Sequence, residues 1–319
     1  MIRKTIPLIL GCMLLLATVA SCGKGDGASS GGDSITFSAK KDADTSSFKR
    51  SNGEICKVSV NTELSIPDTY KGKAIDDKFV KLFVTTALEG GDSLDVDTAI
   101  KQLVANRLAE NVSSETESNE EDDALATSNI QIDVKVYPVF NRNGILSMCF
   151  EETVKKDAVA SVVHSYFNYD MEKCAVVDMG EFVDGASSDL AQLLQNKLME
   201  QNKVETEEEL NSIGYFDIYN LSATSNFYFN DKGIVWSYKP QELTVDANAE
   251  PTILIPFAEL APYVKENSII ILTLADRGKD LVSGAQIGHQ SQCKRMCATG
   301  DLRSDKCSFG MKYIGIYFF

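Results

Sequence analysis

The period of the hydrophobic positions changes several times along the chain, and each change predicts an element. Between Glu54 and Ile66, Val58, Val60 and Leu64 alternate with polar residues, which predicts a strand ended by Pro67. Ile75, Phe79, Leu82 and Phe83 then lie at helical spacing, and Gly90-Gly91 terminates that amphipathic stripe. Val96, Ile100, Leu103, Val104 and Leu108 repeat the spacing behind Asp95, whose carboxylate suits an N-cap. Ile130, Ile132, Val134 and Val136 alternate again. Asn143-Gly144 signals a hairpin into Leu146, Met148 and Phe150, and a third strand is expected over 158–168. Strands joined by such short turns read as an antiparallel meander with one face toward the core.

Ser187 is placed to cap a helix carrying Leu190, Leu193, Leu194 and Leu198, and Thr206 with Glu209 forms a capping box for a shorter one. Strands at 226–229 and 234–238 are joined by the turn Asn230-Asp231-Lys232-Gly233, and apolar, β-branched runs follow at 252–257 and 268–275. The expected fold class is α+β, an antiparallel sheet with helices packed on one face.

Both ends depart from this patterning. Arg3 and Lys4 precede the apolar stretch from Ile6 to Val19, and small residues lead to Cys22, so residues 1–21 read as a secretory signal. The stretch is too short for a membrane span. A signal ending on Cys resembles the lipobox of bacterial lipoproteins, which implies cleavage before Cys22 and acylation, such as by palmitate, of that residue. Residues 22–47 are rich in Gly, Ser, Asp and Lys and are expected to be a flexible tether. Residues 276–319 lose all amphipathic period and read as an atypical, Cys-containing extension, out of frame or unselected.

Composition narrows the function. The 319 residues carry a net charge of −15; the signal holds +2 and the tail +3, which leaves about −20 on residues 22–275. Such a surface repels phosphate backbones, so nucleic acid is excluded as a partner. The acidic stretch 113–128 reads as a solvated loop without the spacing of a calcium site. Only His164 and His289 are present, which argues against His-based nucleophile schemes. His289, Cys293, Cys297 and Cys307 have the residue types for zinc but not its knuckle spacing, and read as chance clustering. No metal site, cofactor motif or set of catalytic residues emerges. His164 reads as a strand histidine, and Cys56, Cys149 and Cys174 as free thiols.

Aromatic residues crowd between Tyr215 and Tyr238, including Phe216, Tyr219, Phe227, Tyr228, Phe229 and Trp236. Most suit a sheet core, and those on the opposite face suit a recognition patch. The run Asn226 to Val235, then Tyr238-Lys239-Pro240-Gln241-Glu242-Leu243, then Ile255-Pro256-Phe257-Ala258-Glu259-Leu260, resembles the signature of the RsiV-like family, a domain of unknown function. Upstream, residues 48–170 resemble the PdaC-like module that commonly precedes it, which makes 171–275 the RsiV-like module. The resemblance implies an α+β envelope domain without established catalytic residues. One branch of the family binds lysozyme. The present chain lacks that branch's transmembrane helix, and its loop Thr244 to Asn248 lacks the family's Tyr and Gly.

These readings together imply a lipid-anchored envelope protein on the outer membrane of a Gram-negative bacterium. It would reach the membrane through Cys22 and bind, without catalysis, a cationic protein such as lysozyme. Trp236, Tyr238, Pro240 and Glu242 are the candidate binding residues. A hydrolase acting on cell-wall glycan is the alternative from another class, and a structural envelope lipoprotein is a third.

Overall fold

The computed structural model describes residues 35–49, 53–91, 95–116, 129–157, 159–183, 187–265 and 268. Cys22, the signal, the tail 276–319 and nearly all of the expected strand 268–275 lie outside them. Seven strands form the larger sheet: β1 (Ile35–Lys49), β2 (Ile55–Tyr70), β3 (Lys73–Ala74), β4 (Asn129–Arg142), β5 (Ile145–Lys156), β6 (Val159–Asp170) and β7 (Ala175–Val176). Their order is β1-β2-β4-β5-β6-β7, with β3 folded back on β2.

All neighbours are antiparallel except β2 and β4, which run parallel from Lys57 opposite Asn129 to Leu64 opposite Val136. Helices α1 (Asp77–Ala87) and α2 (Val96–Thr116) lie between these strands and carry the chain back to the end where β2 began, the crossover a parallel pair requires. The fold is therefore mixed α/β with a mostly antiparallel sheet, and the purely antiparallel expectation is corrected.

Over residues 35–47 the expected tether is instead a strand, while 22–34 lie outside the described residues. β1 begins at Ile35, inside 22–47, and pairs with β2 along its whole length. Backbone hydrogen bonds hold an edge strand whatever its side chains, so β1 needs few apolar residues and shows no alternation strong enough to read. Lys40, Lys41, Asp42 and Asp44 instead charge this edge, a usual protection against further pairing. β2 likewise runs on past Pro67. That residue sits beside a bulge against β1 and beyond the last pair with β4, where its missing N–H breaks no ladder. Helix α2 also continues through Thr116, into the stretch expected to be loop.

Most local signals read from the chain are realised, although Ser187 stands at the N-cap of the helix Ser188–Asn202 without a side-chain cap bond. Asp95 accepts from Thr98 N at 2.9 Å and caps α2. Asn143 and Gly144 take φ of 54° and 71°, the two positive angles a tight hairpin turn needs between right-twisted strands. One face of the sheet, through Val58, Val60, Ile132, Val134, Leu146 and Met148, packs under α1 (Phe79, Phe83, Val84) and α2 (Ile100, Leu103, Val104). Arg107 ties α2 to this face, holding Glu152 of β5 at 2.6 Å and Glu89 at 2.9 Å.

The opposite face carries a second layer where β4, β5 and β6 approach the hairpin. It consists of α3 (Met179–Phe182), α4 (Ser188–Asn202), α5 (Glu207–Ser212), α6 (Phe257–Leu260) and a small sheet ordered β10-β9-β8. Those strands are β8 (Phe227–Phe229), β9 (Gly233–Ser237) and β10 (Thr252–Pro256). Phe182, Leu190, Leu194, Phe227, Phe229, Trp236, Ile253 and Phe257 form its core, joined by Phe140 of β4 and Ile145 of β5. Residue 170 is thus no break in packing, because each layer takes core residues from β4 and β5.

Candidate functional site

The two layers meet along the outer edge of β6. That edge would leave backbone N–H and C=O groups unpaired beside a buried interface, a cost of about 1–3 kcal/mol per group. Side chains close it. Asn226 Oδ1 accepts from Tyr166 N at 2.9 Å, and Asn226 Nδ2 donates to His164 O and to Ser237 O. Glu250 Oε1 accepts from His164 N at 2.8 Å. Deeper in, Asn168 Nδ2 donates to Phe227 O at 2.7 Å, Ser147 Oγ donates to Asn168 Oδ1 at 2.6 Å, and Phe229 N donates to Ser147 Oγ at 3.2 Å. Ser147 and Asn168 are buried, and this triangle binds β5, β6 and β8 with no strand pairing between the sheets.

At the outer end of the same seam, charged side chains cross the sheet. Lys41, Glu63, Lys135, Glu151 and His164 stand opposite one another on β1, β2, β4, β5 and β6. Lys41 meets Glu63 at 2.7 Å and Lys135 meets Glu151 at 2.8 Å. His164 Nε2 lies 3.7 Å from Glu151 Oε2, while its Nδ1 hydrogen-bonds Glu250 Oε2. Tyr137 donates to Glu151 Oε2 at 3.1 Å. The Lys135 ammonium holds the Glu151 carboxyl below its ordinary range, Lys41 does the same to Glu63, and Glu151 in turn raises Lys135. Burial pushes the neighbouring Cys149 thiol up to about 11.

This is the sole imidazole among the described residues, and it has the partners of an acid–base pair. Both ring nitrogens, however, face carboxylates of the protein itself, and the Cys149 beside it is a buried, protonated thiol. The arrangement ties loop residue Glu250 to β6. It presents no free base to a substrate. Among the described residues, no group of three or more His, Cys, Asp or Glu is disposed to hold a metal.

The expected binding residues separate. Trp236 is 0% exposed, with Nε1 directed at Met179 Sδ at 3.4 Å, and Tyr238 is buried with its hydroxyl donating to Ser222 O at 2.8 Å. Neither can form a surface patch, because alternation along β9 continues into a strand end covered on both sides. Pro240 is half-buried, and Glu242 is exposed with Oε2 accepting from Lys239 N at 2.8 Å. Glu250, and the part Asn226 plays in the seam, escaped sequence reading: the two lie 86 and 60 residues from their β6 partners, and no local signal points to those bonds.

Residues 182–258 match the family described as protein of unknown function, DUF3298. The matched segment contains most of the second layer, from α4 to the start of α6. A crystal structure of a DUF3298 member from Bacteroides fragilis NCTC 9343 shares the fold, with a TM-score of 0.58 at 18% identity over 75% of this chain and 97% of that one. A DUF3298 protein from Pseudomonas aeruginosa PAO1 is similar over 72% of this chain and 95% of its own, at 13% identity and a TM-score of 0.46. No curated protein matches the chain.

Asn168→Ala would leave Phe227 O without a donor and the Ser147 hydroxyl hydrogen without an acceptor in the seam. A loss of about 3 kcal/mol in urea unfolding is expected, against about 0.5 kcal/mol or less for the exposed Ser188→Ala. The charged row predicts a pH dependence. Glu63 and Glu151 have depressed folded pKa values, so their contribution is fully present above the unfolded carboxylate value of about 4.3 and is lost as pH falls through the folded values. Lys135→Met removes the charge that depresses Glu151, so its acid unfolding, followed by circular dichroism, is expected at higher pH than that of the parent.

Proposed function

We propose that this chain is a lipid-anchored envelope protein, held through Cys22 at the outer membrane of a Gram-negative bacterium. Its domain binds a cationic protein such as lysozyme and performs no catalysis. In this reading residues 171–275 act as an RsiV-like module behind a PdaC-like one. The observation that carries it is the charge: about −20 on residues 22–275, with many cations already engaged. Lys40, Lys41, Lys135, Lys155 and Lys197 all lie in ion pairs, as does Arg107, so the surplus carboxylates face solvent. A field of that sign attracts cationic proteins over a distance and speeds their encounter.

The geometry gives less support to a hydrolase acting on cell-wall glycan. Such an enzyme needs a carboxyl kept protonated by a raised pKa beside a second carboxylate. Among the described carboxylates that titrate away from their ordinary range, Glu63, Asp95, Asp133, Glu151 and Glu172 all move downward.

Calorimetric titration of the detergent-solubilised protein with hen-type lysozyme is expected to show saturable binding. That binding should weaken about tenfold or more between low and high salt. No heat at either salt would remove this partner, and salt-independent affinity would remove the electrostatic basis of the reading. Labelled palmitate is expected to enter the parent protein and not Cys22→Ser; equal labelling would place the lipid elsewhere.

A further inference from the structure

Four of the large hydrophobic side chains exposed among the described residues gather on two segments that hydrogen-bond to each other. Ile213 is 54% exposed, Phe216 37%, Tyr219 72% and Val245 72%. Phe216 N donates to Leu243 O at 3.0 Å, Val245 N donates to Gly214 O at 3.0 Å, and Tyr215 and Thr244 form an isolated antiparallel bridge. Beneath them Leu210, Ile218, Leu221 and Leu243 are buried in the second core. The outward side chains therefore stand on a backbone held from below, and they are available for contact at little ordering cost.

Of charged residues, the two stretches that carry this patch hold acids only, with Lys203 and Lys239 just outside them. Residues 204–221 contain Glu205, Glu207, Glu208, Glu209 and Asp217, residues 241–249 contain Glu242 and Asp246, and neither stretch has a Lys, Arg or His. Several of these carboxylates accept local hydrogen bonds: Glu209 from Glu205 N, Asp217 from Asn220 Nδ2, Glu242 from Lys239 N, and Asp246 from Asn248 N. None has an ion-pair partner among the described residues, in contrast to the row on the large sheet. The carboxylates of Glu207 and Glu208 lie near enough to Tyr219 to raise its phenol.

We propose that Ile213, Phe216, Tyr219 and Val245, with the exposed acids Glu208, Asp217 and Asp246 on the same segments, form the docking face for a cationic protein. The partner would present Lys or Arg side chains around an apolar one. This rests on the binding function proposed above and says where on the fold it resides. Aromatic anchors surrounded by polar groups are the usual composition of an interface centre, and an apolar patch bordered by unpaired acids selects a basic partner. A second copy of this chain would bring like charge to the same border, and an anionic membrane surface would do likewise.

The test uses the full lipoprotein in detergent, with hen-type lysozyme as the probe. Ile213→Ser, Tyr219→Ala and Val245→Ser alter exposed side chains, so their melting temperatures should match the parent. Together they are expected to weaken lysozyme binding by about tenfold or more. Ile55→Ser and Val159→Ser, at exposed apolar positions elsewhere, should bind as the parent does. Glu208→Gln with Asp246→Asn should flatten the salt dependence. If the parent binds and the patch variants bind equally well, the docking face is overturned while the binding function stands. If the parent itself does not bind, both fall. A change in the mass of the protein alone on introducing the patch variants, measured by sedimentation equilibrium, would assign the patch to self-association and overturn the proposal.

Discussion

The second layer of this fold depends on how the outer edge of β6 is closed. A sheet edge exposes donors and acceptors every second residue, and an edge that faces a buried interface must pair them. Continuing the ladder with another full strand would be the common solution, but β7 supplies only two residues at one end. The protein uses side chains for the remainder: Asn226 and Glu250 on the outer part, Asn168 and Ser147 within. Asn226 reaches backbone on both layers, while Glu250, Asn168 and Ser147 each reach from their own layer to backbone of the other. The small sheet can then abut the large one without sharing its ladder, and Phe140 and Ile145 reach across to pack with Phe229 and its neighbours.

The distribution of charge follows from that arrangement. Where the large sheet is left uncovered, its polar face pairs Lys with Glu strand by strand, from Lys41 across to His164. Opposite charges at cross-strand neighbours stabilise a sheet modestly and cancel its field at a distance. On the second layer the acids around α5 and the 243–246 segment have no such partners among the described residues. The DUF3298-matched segment therefore holds carboxylates without ion-pair partners on the same stretches of chain that carry the exposed Phe216 and Tyr219.

Legibility in the sequence divides along the same lines. Helices α1 and α2 could be read because a buried helix face repeats every three to four residues, and Asp95 and Thr206 announce the caps of α2 and α5 locally. The Asn143-Gly144 hairpin could be read because few dipeptides tolerate two positive φ angles. β1 could not, because only Ile35, Phe37 and Phe48 reach the core, and they set no regular apolar period. The parallel pairing of β2 with β4 was hidden too: alternation is the same in both senses, and only the return path of α1 and α2 sets the direction. Trp236 and Tyr238 were expected at a surface from their resemblance and composition, yet the second layer closes over them.

What the sequence determined by itself was therefore local: which stretches alternate, which wind, where they cap and turn, and how much negative charge the chain carries. These depend on residues a few positions apart, whose geometry is set by the backbone. The tertiary structure alone decided the direction of β4, the bond from Glu250 to His164, the burial of Trp236 and the exposure of Tyr219. Each of these depends on which distant surface covers a given face. Covering is a property of the packed layers, because the free energy of hiding an apolar side chain or pairing a polar one belongs to the contact between two elements and is written in neither of them separately.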